Sequence, residues 1–225
     1  KGMAFSDNLR ITLHTDDPDA LVYYTVDGTT PTVKSKRYAG PIEIFGTTEI
    51  RTIAVSPSGT KGFVKSQLYN KARYKILLEH APDIRYTAGG SLILSDGIRG
   101  GTQFDNNRWL GFQGEDLEAI IDLGTLGRMD GITLHFLEDL SQKIFPPEYV
   151  DIYVGTNLKN WRKIGRLRPE SGETSNLPRT VDLSLDRNLE NIRFIKVFGK
   201  NQTIPKGMQD EGDPAWIFID EISIR

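Results

Sequence analysis

The last eleven residues, Ala215–Arg225 (AWIFIDEISIR), set two acids, Asp220 and Glu221, inside an apolar run. Adjacent carboxylates allow three chemistries: a general acid/base pair, a cation clamp, or the polar interruption of a β-strand. In a regular strand neighbouring side chains leave opposite faces, so two adjacent acids do not converge on one substrate. Hydrolysis by paired carboxylates also needs one acid of raised pKa in a shaped pocket, and no other part of the chain supplies such a cluster. Parity gives a better account. Ile217 and Ile219 share one face, Ile222 and Ile224 the other, and the switch falls at the acids. One inserted residue explains that switch, so a β-bulge is expected at 220–221, turning an acid toward a neighbouring loop.

Other catalytic arrangements find little support. His14, His80 and His135 have no metal-ligand spacing, and there is no cysteine, no nucleophile elbow and no phosphate-binding glycine motif. The formal net charge is −2 with no basic block, which argues against a nucleic-acid partner. No apolar run approaches the length of a membrane span, so membrane insertion is not expected. The chain begins at Lys1 rather than Met and is read as a piece of a longer protein.

The elements that must position these residues read as strands. Leu21–Thr25, Pro41–Phe45, Glu49–Val55 and Gly62–Tyr69 are short, β-branched or alternating, and Asp27-Gly28 and Ser56–Gly59 supply turns. They suggest a small β-sandwich over residues 1–72. Lys71–Glu79 fits a crossing strand or a short helix. Beyond it, Ala119–Leu123, Ile132–Leu137, Tyr149–Val154, Val181–Leu185, Ile192–Phe198 and the final segment are six separate strands of an antiparallel sandwich or jelly roll over residues 73–225. Residues 138–148 and 199–215 are longer than hairpin connections need, and long loops on a rigid sandwich are where binding usually resides. The fold class is therefore all-β: two tandem β-sandwiches.

Two resemblances sharpen this reading. Val22-Tyr-Tyr-Thr-x-Asp27-Gly28-Thr-x-Pro31-Thr, then Tyr38-x-x-Pro41-Ile42, then Thr48-x-Ile50-x-x-x-Ala54 resembles the small immunoglobulin- or fibronectin-III-like sandwich near the C-terminus of bacterial chitobiases and β-hexosaminidases. Leu94-Ser-Asp96-Gly97, Arg108-Trp109-Leu-Gly-Phe112, Leu117–Gly124, Val154-Gly155 through Asn160-Trp161, Ile192–Val197 and Ala215–Ile224 resemble the discoidin (coagulation factor V/VIII type C) family, which includes the family 32 carbohydrate-binding modules. The tandem is similar to the region that follows the catalytic domain of family 20 glycoside hydrolases. The resemblance implies a non-catalytic accessory region in a periplasmic, outer-membrane-associated or secreted bacterial protein. Its partners would be a GlcNAc- or galactose-type glycan and the parent's catalytic domain. The alternative is a purely structural pair that packs against that domain or a protein partner.

The resemblance also implies one structural calcium, with side-chain oxygens from Asp96, Thr102 and Glu221 and carbonyls from around Gly100 and Gly101. Against it stands a plain turn at Asp96-Gly97 and a surface acid at Glu221. Sugars stack flat faces on aromatics and take hydrogen bonds from charged and amide side chains. Trp109, with Phe104 nearby, Phe145 and Trp216 are therefore the aromatic candidates, each either a sugar platform or a packing ring. Arg99, Asp105, Arg108 and Lys206 are the polar candidates. Trp161 is read as core or rim.

Overall fold

The computed structural model describes residues 3–169 and 177–225. The chain divides into two compact units, Lys1–Lys71 and Ala72–Arg225. Among the described residues there are strands and two short 3-10 turns but no α-helix.

In the first unit, β1 (Met3–Phe5), β7 (Lys65–Lys71), β6 (Thr48–Val55), β3 (Leu21–Thr25) and β4 (Lys36–Arg37) form one sheet in that order. A second layer pairs β2 (Leu9–Ile11) with β5 (Ile42–Ile44). Alternation places Ile42 and Ile44 inward, where they meet Phe5, Ile11, Tyr24 and Ile50. The Asp27-Gly28 turn closes as its chemistry requires. Asp27 Oδ1 accepts from Thr29 N at 3.1 Å, and Gly28 takes φ +76°, a region that favours glycine. Tyr38 packs on the core edge, and its hydroxyl accepts from Leu13 N.

The second unit is one seven-stranded antiparallel system made of β8 (Lys75–Leu78), β9 (Leu110–Gln113), β10 (Leu117–Glu138), β11 (Tyr149–Gly155), β12 (Arg162–Leu167), β13 (Arg179–Lys200) and β14 (Trp216–Ile224). The segment expected as strand or helix is strand β8, with Ile76 buried and Leu77 exposed. Four of the expected separate strands are halves of two long ones. Ala119–Leu123 and Ile132–Leu137 join in β10, as Val181–Leu185 and Ile192–Phe198 join in β13. The joins are irregular: pairing of β10 with β13 slips between Asp122 and Gly127, Gly127 and Met129, and Met129 and Gly131. Gly124 there has φ +84°. Bulges bend strands, so each long strand serves both layers. The first half of β10 pairs β8 and the second half pairs β14. Between the layers lie Leu117, Ile121, Ile132, Leu134, Val150, Ile195, Ile217 and Ile219, all fully buried.

Candidate functional site

β14 carries the expected bulge. Glu221 pairs with His135 and Ile219 with Phe136, so Asp220 stands opposite no residue of β10. The extra residue lets Ile217, Ile219, Ile222 and Ile224 all remain buried although their parity changes. It also sends both acids to the same loop. Asp220 Oδ2 accepts a short bond from Gly100 N, and Glu221 Oε2 accepts from Gly97 N at 3.0 Å. Asp220 Oδ1 is hydrogen-bonded to His135 Nδ1 at 2.5 Å, and Trp109 stacks on that imidazole at 5.5 Å. Gly100 sits so close that a Cβ there would lie 2.7 Å from Trp109 Cε2 and 2.9 Å from Asp220 Oδ2. Only glycine lets this loop approach the bulge.

Burial sets the electrostatics. It pushes the Glu221 carboxyl up to about 7; the Gly97 N–H opposes the rise, and the neighbouring Asp96 and Asp220 charges reinforce it. Burial also raises Asp220, against the stabilising bonds from His135 and Gly100. Asp96 has a different partner. Arg108 Nη2 lies 2.9 and 3.1 Å from its two oxygens and 2.7 Å from the Ile98 carbonyl.

The four residues expected around calcium are not arranged to hold it. Both Asp96 oxygens accept from a guanidinium, and the nearer Glu221 oxygen accepts from a main-chain N–H. Gly101 and Thr102 are exposed. Among the described residues no three His, Asp or Glu side chains form a metal-holding group. Calcium requires six to eight oxygens, so this donor set does not fit it.

A separate groove opens at one end of the second unit, with a volume of about 200 Å³ and a lining that includes Arg85, Tyr86, Phe104, Gln142, Trp216 and Phe218. They come from four places. Arg85 and Tyr86 follow β8, Phe104 lies in the clamped loop, Gln142 ends a 3-10 turn, and Trp216 and Phe218 begin β14. The Tyr86 ring meets Trp216 at 5.3 Å and 88° and Phe218 at 4.8 Å. The Arg85 guanidinium lies 5.1 Å from the Trp216 ring and 5.6 Å from Tyr86, and Asp83 holds it through bonds of 2.9 and 3.1 Å. That pair lowers the Asp83 carboxyl, chiefly through the Arg85 bond. The groove thus offers aromatic edges beside an internally neutralised donor–acceptor pair.

Of the expected binding residues, Trp216 lines this groove. Trp109 and Phe145 are corrections. Trp109 is 1% exposed beneath the clamped loop, and Phe145 is 6% exposed among Ile204, Ala215, Leu140 and Met208. Neither presents a face to a ligand. Arg108 is engaged with Asp96, and Arg99 pairs with Asp182 at 2.8 Å. Asp105 and Lys206 are exposed and line none of the groove. Trp161 lies in another depression, with Gly155, Asn160 and Asn191. Arg85, Tyr86 and Gln142 line the groove without having been among the expected residues. An aromatic beside an arginine in the Pro82–Tyr86 stretch before Gly89-Gly90 was the available signal.

Residues 1–66 match the family model of the chitobiase/beta-hexosaminidase C-terminal domain. No curated protein matches the chain. Among solved structures, the C-terminal domain of a chitobiase from Bacteroides fragilis is 18% identical, covers 68% of this chain and 93% of its own, and has a TM-score of 0.40. Chitosan-binding module 1 of a chitosanase/glucanase from Paenibacillus sp. IK-5 is 12% identical over 68% of this chain and 96% of its own, with a TM-score of 0.41. A fucose binding module from Streptococcus pneumoniae is 15% identical over 68% and 94%, also with a TM-score of 0.41.

Proposed function

We propose that residues 72–225 bind a neutral carbohydrate in the groove beside Trp216, as the non-catalytic accessory region of a β-N-acetylhexosaminidase-type glycoside hydrolase. The observation that carries the reading is the groove itself, where Trp216 and Tyr86 stand edge to face under an Arg85–Asp83 pair. An apolar sugar face meets the rings, while Arg85, Asp83 and Gln142 offer donors and acceptors to hydroxyls. Because Arg85 is already neutralised by Asp83, the groove suits GlcNAc- or galactose-type rings rather than anionic sugars. The family match of residues 1–66 supports the glycosidase context, and with it a periplasmic, surface-attached or secreted setting.

The volume suits a single ring, since it is smaller than the roughly 300–1,000 Å³ of drug-sized sites. At about 0.3 kcal/mol per non-hydrogen atom, a sugar of about fifteen atoms gives a Kd near 1 mM. An affinity that weak serves by proximity, holding a tethered enzyme near its polymer. The two acids of β14 have no place in this groove. They hold a loop, so no hydrolysis is expected of this chain.

Calorimetric titration with GlcNAc, galactose and chitosan fragments tests the reading, and Trp216→Ala should weaken binding about tenfold. Millimolar binding unchanged by that substitution would remove the groove from the site. Release of chromophore from an aryl GlcNAc glycoside would overturn the non-catalytic assignment.

A second reading has its own observation. Phe45 and Phe63 of the first unit are 65% and 95% exposed, and exposed aromatics suit packing against another protein domain. Association with a separately expressed catalytic domain, together with an inert sugar screen, would favour this structural role.

A further inference from the structure

We infer that Arg108 is the resident cation of the loop that β14 clamps, so that this loop is held in place without a divalent metal. Three oxygens of two chemical kinds surround one guanidinium nitrogen: both carboxylate oxygens of Asp96 and the main-chain carbonyl of Ile98, at 2.7–3.1 Å. Carboxylate and carbonyl together are the mixture a hard cation gathers. Here the positive charge arrives covalently, on a residue twelve positions along the same loop. The Asp96 side chain is fully buried and that of Arg108 is 16% exposed, so the pair is shielded from competing water.

The two occupants exclude each other. A calcium ion would bind these oxygens at about 2.3–2.6 Å, where the guanidinium N–H groups already donate. It would then stand against a full positive charge in a poorly screened site. The two β14 carboxylates also find their donors within the chain. Asp220 takes His135 and Gly100 N, and Glu221 takes Gly97 N. The loop so fixed carries Phe104 into the groove, and a melting measurement reads the clamp whether or not any sugar binds there.

The experiment compares melting temperatures of the chelated protein and the protein in millimolar calcium, for the native sequence and for Arg108→Met. The native protein should melt at the same temperature in both. Arg108→Met should melt about 5–10 °C lower, because the buried Asp96 charge loses its partner. Arg108→Lys, which keeps a point charge but not the planar fork, should fall between. A native protein that gains several degrees in calcium would overturn the inference, as would an Arg108→Met variant that melts like the native protein. If Arg108→Met does not fold, the native comparison and Arg108→Lys still decide.

Discussion

Asp220 Oδ1 lies 2.5 Å from Nδ1 of His135, although the two residues are 85 positions apart and Asp220 pairs with no residue of β10. The bulge makes this contact possible. In an unbroken ladder Asp220 would occupy a paired position and its carboxylate could not also reach Gly100. The carboxylate therefore joins three parts of the second unit: the bulged strand, the C-terminal end of β10 and the Leu94–Trp109 loop.

Removing that carboxylate should be costly. Asp220→Ala leaves the Gly100 N–H and the His135 imidazole buried without a partner, and a loss of about 3–5 kcal/mol is expected. Asp220→Asn retains an acceptor for Gly100 and should lose about half as much. Urea denaturation of the three proteins checks the order, and equal midpoints would show that the contact stabilises nothing.

Glu221 gives a pH signature of the opposite kind from a normal ion pair. Its folded pKa of about 7 lies above the ordinary 4.5. Whatever stability the protonated group contributes is therefore complete below about pH 4.5 and lost as pH rises through 7. The difference corresponds to about 3 kcal/mol at most. Glu221→Gln keeps an acceptor for Gly97 and abolishes the titration. It should be more stable than the native protein at about pH 8, with the advantage vanishing near pH 4. An advantage of constant size across that range would show that the Glu221 proton is not involved.

Asp151 should behave in the reverse sense. Arg166 grips both its oxygens at 2.6 and 2.7 Å, and Lys163 adds a third contact at 2.7 Å. The Arg166 bond chiefly, helped by Lys163, holds the carboxyl at about 2. This stability is present above the ordinary 3.8 and disappears as pH falls through 2. The partners are 39% and 42% exposed, so solvent screening reduces the contribution to about 1 kcal/mol. Asp151→Asn should lower the urea midpoint at neutral pH and converge on the native value in acid. A deficit that persists at about pH 2 would assign the loss to packing instead.

The bulge was legible because four isoleucines in nine residues of strand report the parity of their own backbone. No distant contact is needed to read it. The fusion of strand pairs into β10 and β13 was hidden for a local reason. Glycines at 124, 127 and 131 look like turns, and only the pairing partner on β13 shows that the chain bends there without leaving the ladder. Arg108 stood among the polar candidates for a ligand, because nothing in Asp105–Trp109 encodes its pairing with Asp96 twelve residues earlier. Trp109, among polar neighbours, was open to either reading, sugar platform or packing ring, for the same reason. Its burial comes from His135, on a strand that meets the loop only after folding.

That contrast makes the two tryptophans a controlled pair. Trp109 is 1% exposed and stacks inside the unit, whereas Trp216 is half-buried and lines the groove. Trp109→Ala opens a cavity beside His135 and should cost about 3–5 kcal/mol. Any effect on sugar affinity should track the unfolded fraction and vanish where the variant is fully folded. Trp216→Ala removes only partial burial and should cost about 1 kcal/mol, yet should weaken sugar binding about tenfold. Calorimetric titration and urea melts on both variants separate the roles. If Trp109→Ala lost affinity while fully folded and Trp216→Ala did not, the ligand site would lie under the clamped loop, not in the Trp216 groove.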